Sequence, residues 1–140
     1  MTGAPGTVVD SSVLLDIFTE DAKWVAWSEA RLIEAAGKGP LILNAVVLAE
    51  IAPRFSRIEE LESALPAMAA IEEIPAAAAF LAGHADADYR RSGGRREAIL
   101  PDFLIGAHAA VSGRPLLTRD PRHVATYIPG AKLIRPGDPA

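Results

Sequence analysis

At 140 residues the chain is long enough for one domain with a genuine core, and a composition half hydrophobic and 23% charged is that of a folded globule rather than a disordered segment. The absence of cysteine excludes a disulfide framework and a thiolate zinc site. A net charge of −4 argues against non-specific coating of nucleic acid, which leaves a basic footprint unless the basic residues are local. No run reaches the ~20 apolar residues of a membrane span, and "MTGAPGTVVD" lacks a basic segment followed by an apolar signal core. A cytoplasmic protein with no membrane partner is the expectation.

"GTVVD" reads as a short buried strand, and "SSVLLDIF" after it as a helical turn or two. From Asp21 to Gly37 the apolar residues Val25, Ala26, Leu32, Ile33 and Ala36 recur at helical spacing, with Gly37 and Gly39 as the stop. "LIL" (41–43) is a second strand, and Asn44 is placed to cap the helix that follows. Pro53 interrupts, "SRIEELESALPAM" gives another amphipathic helix, and "AIEEIP" is a third strand. An Ala-rich helix from about Pro75 to Arg91 leads into "RRSGGRRE", a loop by its glycines.

"LPDFLIGAHAAVSG" is the next helix, with Pro101 near its first turn and Gly113 at its end. "RPLLTRD" and "AKLIRP" supply a fourth and a fifth strand. Short apolar strands alternating with helices predict an α/β fold, with a central mostly parallel sheet of about five strands flanked by helices. No internal repeat or linker divides the chain, so one domain over 1–140 is expected, with its core at about 7–136.

"LILNAVVLAEI" is almost wholly apolar, yet Glu50 sits near its end. Three other acidic residues explain it. In open parallel sheets, functional residues gather outside the carboxyl ends of the strands. Asp10 ends the first strand, Asp120 follows the fourth, Glu50 lies on the helix after the second, and Asp102 opens the helix before the fourth. Val46, Val47 and Ile51 turn the face of Glu50 inward, while Asp102 shares a side with Ile105, Gly106 and Ala109, where Gly106 permits close approach to the sheet.

Four converging carboxylates repel, since two unit charges 4 Å apart cost about 4 kcal/mol at an effective dielectric of 20. Such a cluster is either protonated or holds cations, and an oxygen-only ligand set suits Mg²⁺ or Mn²⁺ rather than zinc. Taken singly, each residue has a plainer role. Asp10 caps a helix, Asp102 complements a helix dipole, Asp120 is a turn residue before Pro121, and Glu50 reaches to solvent. Only their joint placement points to a site.

"TVVDSSVLLDIF", "LNAVVLAEI", "LPDFLIGAHA" and "PLLTRDPRHVATYIPGAKLIRP" occur in the order found in PIN-domain proteins, and resemble especially the VapC toxins of bacterial type II toxin–antitoxin systems. The resemblance runs from about Thr7 to Pro136. It implies a magnesium-dependent endoribonuclease, blocked by a cognate VapB-like antitoxin, in a homodimer or a toxin–antitoxin heteromer. By position, the family's acidic metal-site residues fall on Asp10, Glu50, Asp102 and Asp120. Some relatives carry a further acidic residue after the fourth motif, where this chain has "PRHV", so one or two ions remain open.

On this reading Asp10, Asp102 and Asp120 hold Mg²⁺ directly or through water, and Glu50 completes the shell or orients the attacking water. Ser11 and Thr118 are candidates to orient a ligand or a phosphate oxygen, and equally serve as structural hydroxyls. Arg119 and the group Arg90, Arg91, Arg95 and Arg96 are candidate contacts to RNA phosphates or to an acidic antitoxin segment, or a solvated loop. His108 is read as a helix residue, His123 as a loop residue, and His84 carries no signal. Asp16 is read as a surface charge, and Trp24, Trp27 and Met68 as core or interface residues.

Two other function classes fit the chain less well. One is a PIN-like binding module that does not cut, against which the four intact acidic residues count. The other is a different Mg²⁺-dependent α/β enzyme. A haloacid-dehalogenase-type phosphatase wants D-x-D after its first strand, whereas this chain has "DSSVLLD". A receiver domain wants paired acidic residues before its nucleophile and a late sheet lysine, and Lys132 lacks that setting.

Overall fold

Short strands carry the chain in one direction through a single sheet in the computed structural model, which describes residues 4–95 and 99–138. Strand β1 (Thr7–Val9) leads into helices α1 (Ser11–Phe18) and α2 (Val25–Lys38). Strand β2 (Leu41–Leu43) leads into α3 (Ala45–Ile51), a 3₁₀ turn (Ala52–Arg54) and α4 (Ile58–Ala64). Strand β3 (Ala69–Ile71) precedes α5 (Ala76–Arg91) and α6 (Leu100–Ser112). Strand β4 (Pro115–Leu117), α7 (Arg122–Tyr127) and β5 (Lys132–Ile134) complete the order.

The strands lie in the order β3-β2-β1-β4-β5, and every pairing is parallel. Val8 pairs with Ile42 on one side and Leu116 on the other. A sheet with helices on both faces has no wet side, so β1 and β2 are buried throughout. The strand order reverses direction between β1 and β4, and in such sheets a crevice opens there at the carboxyl ends. Asp10 directly follows β1, and Thr118 directly follows β4.

Local chemistry sets the element ends. The Asn44 side chain accepts from the amides of Val46 and Val47 and caps α3 as the sequence predicts. Gly113 closes α6 in the left-handed region at φ 69°. Pro53 turns the chain out of α3 through the 3₁₀ segment. The core gathers Val8, Val9, Leu41, Ile42, Leu43, Leu116 and Leu117 of the sheet with Val13, Leu14, Val47, Ile51, Phe103 and Ile105 of the helices.

Several expectations are revised. Helix α2 turns Ser28 and Ala35 inward and leaves Ala26 exposed and Ile33 69% exposed. Its phase is set by a buried hydroxyl of Ser28 bonded to Asp16, which apolar spacing does not register. Gly106 meets α7 rather than the sheet, because a Cβ there would lie 2.8 Å from Val124 Cγ1. His123 lies on α7, not in a loop. Met68 is exposed, while Trp24 and Trp27 are half-buried with their rings edge to face at 6.2 Å. Among the described residues no helix is long and apolar enough to cross a membrane.

Candidate active site

Asp10 is fixed first by its backbone, whose amide donates to Leu117 O at 2.9 Å, joining the ends of β1 and β4. Its half-buried carboxylate accepts at Oδ2 from Ser12 Oγ (2.6 Å) and Thr118 Oγ1 (2.8 Å). Burial pushes its pKa above the ordinary value, against the opposing pull of those two hydroxyls and the Ser11 and Ser12 amides. Thr118 Oγ1 also accepts from the Asp120 amide at 3.1 Å, so one buried hydroxyl links Asp10 to the loop after β4.

Glu50 stands in the last turn of α3, half-buried, and its Oε1 accepts from Ser11 Oγ at 2.7 Å. Burial raises its pKa too, the Ser11 hydroxyl lowers it, and the negative charge of Asp10 raises it again. The two carboxylates therefore sense each other. The adjacent hydroxyls of Ser11 and Ser12 hold one each.

Asp102 lies in the first turn of α6, half-buried, and Asp120 is exposed on the loop after β4. Among the described residues no three His, Asp or Glu side chains form a group that could hold a metal ion. Asp10 and Glu50 are held by adjacent hydroxyls, and the four predicted carboxylates do not form one such group among the described residues. What is present fits a hard divalent cation in chemistry: two desolvated oxygen donors, each disfavoured as a bare anion.

The cationic candidates divide. Arg119 makes a two-point ion pair with Asp16, so it is not a free phosphate contact. Arg90 and Arg91 belong to the last turn of α5 rather than to the loop, and pair with Asp86 (3.0 Å) and Asp88. Arg95 is exposed beyond the turn at Ser92 and Gly93, and Arg96 lies outside the described residues.

Two groups were not anticipated. Ser12 bonds Asp10, and Asp16, read as a surface charge, is instead buried against Ser28 and Arg119; the i, i+4 spacing of Ser12 and Asp16 on α1 was the available signal. The second is a part-buried chain in which His108 bonds Asn44 (3.0 Å) and Glu72 (2.8 Å), and Glu72 also accepts from Arg114 (2.5 Å). It ties the cap of the helix bearing Glu50 to the helix bearing Asp102. Residues so far apart in sequence give no local sign of meeting.

Beside this edge α3, α4 and Ile71 enclose a groove of about 470 Å³, lined by Leu48, Phe55, Ile58, Leu61 and Leu65 among others. It does not reach the carboxylates, but α3 forms one wall of it and carries Glu50.

A family model of the PIN domain matches residues 7–128. The chain belongs to the PIN domain family. A search of curated proteins gives no match. Among solved structures, this PIN domain is similar to a chain of VapBC2 from Rickettsia felis bound to a DNA fragment from their promoter. That match has 18% identity and a TM-score of 0.67, over 92% of this chain and 97% of that one. A chain of DNA-bound VapBC from Salmonella typhimurium matches at 17% identity and TM-score 0.65, over 94% and 98%. A chain of FitAcB from Neisseria gonorrhoeae matches at 17% and 0.61, over 91% and 96%. At these identities the likeness is one of fold.

Proposed function

We propose that this PIN domain is a VapC-type toxin, an endoribonuclease that hydrolyses RNA phosphodiester bonds with Mg²⁺ and is held inactive by a VapB-like antitoxin. The observation that carries the reading is the meeting of Asp10 and Glu50 at the carboxyl edge of the sheet. There burial and mutual repulsion disfavour two bare carboxylates. Asp102 and Asp120 would complete the donor set from α6 and from the loop after β4. A bound Mg²⁺ supplies a water of lowered pKa and neutralises charge at the scissile phosphate.

The chain's own residues do the rest. Ser12 and Thr118 fix the rotamer of Asp10, and Ser11 fixes that of Glu50, so little ordering is left to occur on binding. Glu50, raised in pKa, is suited to take a proton from an attacking water. The antitoxin would lay an amphipathic segment into the apolar groove beside α3, which supports pairing with a partner of that chemistry.

End-mapping of the cut RNA tests the chemistry. Hydrolysis of this kind leaves a 5′-phosphate and a 3′-hydroxyl, and cuts a substrate whose scissile nucleotide lacks its 2′-hydroxyl. A 2′,3′-cyclic phosphate product would overturn the mechanism. Folded protein that binds RNA or antitoxin and cuts nothing with Mg²⁺ would replace it with a binding module.

A further inference from the structure

Asp16 lies on the inner face of α1, one turn past Ser12, and is 2% exposed. Its Oδ2 accepts from Ser28 Oγ (2.8 Å) and Arg119 Nε (3.0 Å), and its Oδ1 accepts from Arg119 Nη2 (2.9 Å). Two parallel bonds from one guanidinium fix its plane as well as its position. The Trp24 ring covers that guanidinium at 5.8 Å. Asp21 in turn holds Trp24, accepting at Oδ1 from the Lys23 and Trp24 amides at 2.9 Å each.

Arg119 stands between Thr118 and Asp120, so both of its ends matter to the site. Its amide donates to Ser12 Oγ at 3.2 Å, the same hydroxyl that donates to Asp10. Its side chain is anchored to Asp16. The loop after β4 is therefore held to α1 at two points, one through the backbone and one through the ion pair.

We propose that Asp16 and Arg119 form a positioning clamp that holds the loop Thr118–Asp120 against α1, so that the Thr118 hydroxyl stays on Asp10 and the Asp120 amide on Thr118. The proposal rests on reading that edge as the nuclease site. It gives Arg119 a role through loop geometry in place of a contact to RNA. A guanidinium already matched by a buried carboxylate has little charge to offer a phosphate, and releasing it would strand Asp16 without its cation. Asp16 is a positioning residue, since it touches no acidic site residue itself.

Hydrogen exchange and steady-state RNA cleavage, both on the full chain, test the clamp in Asp16→Asn, Arg119→Lys and Ser28→Ala. In Asp16→Asn, exchange at the Arg119 and Asp120 amides rises roughly tenfold or more, and buried α5 amides such as Ala78 and Ala82 keep their rates. Its kcat falls about 10–100-fold, the range typical of lost supporting contacts, with KM nearly unchanged. Arg119→Lys keeps the charge without the fork and falls between wild type and Asp16→Asn. Ser28→Ala removes one of three bonds and shows the same pattern more weakly, which decides the matter if Asp16→Asn does not fold.

Unchanged exchange at Arg119 and Asp120 in a folded variant overturns the clamp. So does a rise in KM with an intact kcat in Arg119→Lys, which would make Arg119 a substrate contact. If wild-type protein cuts no RNA, the nuclease reading fails separately. The exchange rates then still decide whether Asp16 pins the loop.

Discussion

Asn44 is fully buried, and each of its side-chain atoms has a fixed task. Its Oδ1 accepts from the Val46 and Val47 amides at 3.0 and 3.1 Å, so Nδ2 is the group that meets His108 Nδ1. The imidazole therefore accepts at Nδ1 and donates its Nε2 proton to Glu72, the neutral tautomer that completes the chain. Asn44→Ala removes a helix cap, worth about 1 kcal/mol. It also leaves a buried imidazole nitrogen unpaired, at about 1–3 kcal/mol. A total near 3 kcal/mol lowers the melting temperature of a chain this size by roughly 10 °C.

Asn44→Asp separates the two contributions. The introduced carboxylate still caps α3 and suits its N-terminus, but it offers no proton to His108 Nδ1. Asn44→Asp is thus expected to be less stable than wild type at neutral pH although its cap is kept. Urea unfolding at neutral pH reads both effects. A cost under about 1 kcal/mol for Asn44→Ala, less than the cap alone, would refute the reasoning, as would an Asn44→Asp variant as stable as wild type.

Asp10 has its pKa raised by burial, so its contribution to stability is fully present below the ordinary value of 3.8 and lost as pH rises through the folded value. Asp10→Asn removes that buried charge, and the metal-free variant should melt above wild type at pH 7 and level with it in acid, by calorimetry. Mg²⁺ should raise the melting temperature of wild type and not of Asp10→Asn, because only a folded state that binds the ion gains from it. Glu72 has the opposite sign, its contribution being present above 4.5 and lost as pH falls toward about 2. That shift corresponds to at most about 3 kcal/mol, and to roughly half or less once solvent screening of its partly exposed side chain is counted. Acid titration of Glu72→Gln should show that limb flattened. Gly106→Ala places a methyl 2.8 Å from Val124 Cγ1, and overpacking of this kind costs about 1–3 kcal/mol, measured by chemical denaturation.

Much of the fold was legible because its signals are local. "TVV", "LIL" and "PLL" are short, mostly apolar runs between helical patterns, and they are the strands β1, β2 and β4. Asn44 and Gly113 announced the ends they make. Helix α7 was missed because six residues with one buried apolar side chain, Val124, show no periodicity. A carboxylate on an apolar helix and another after a strand pointed to one edge, where Glu50 accepts from Ser11 and Asp10 from the neighbouring Ser12.

Position along the chain could not reveal which groups satisfy one another. Asp16 and Arg119 lie 103 residues apart, and His108 is 64 from Asn44. A charge on α1 looks solvated until its guanidinium is found. Arg90 and Arg91 looked available until their helical partners Asp86 and Asp88 were seen. Asp102 and Asp120 were expected in one ligand set with Asp10 and Glu50, and no such set is present among the described residues.

The central claim is that Asp10 and Glu50 are the heart of a cation-dependent ribonuclease site. Cleavage of total RNA by purified, antitoxin-free protein, with Mg²⁺ or EDTA, beside folded Asp10→Asn and Glu50→Gln, tests it most directly. Discrete fragments that require the metal, and that fall in each variant by more than the ~10–100-fold of a lost outer partner, are the predicted result. Metal-dependent cleavage that survives both substitutions would contradict it, and would place the chemistry away from this edge of the sheet.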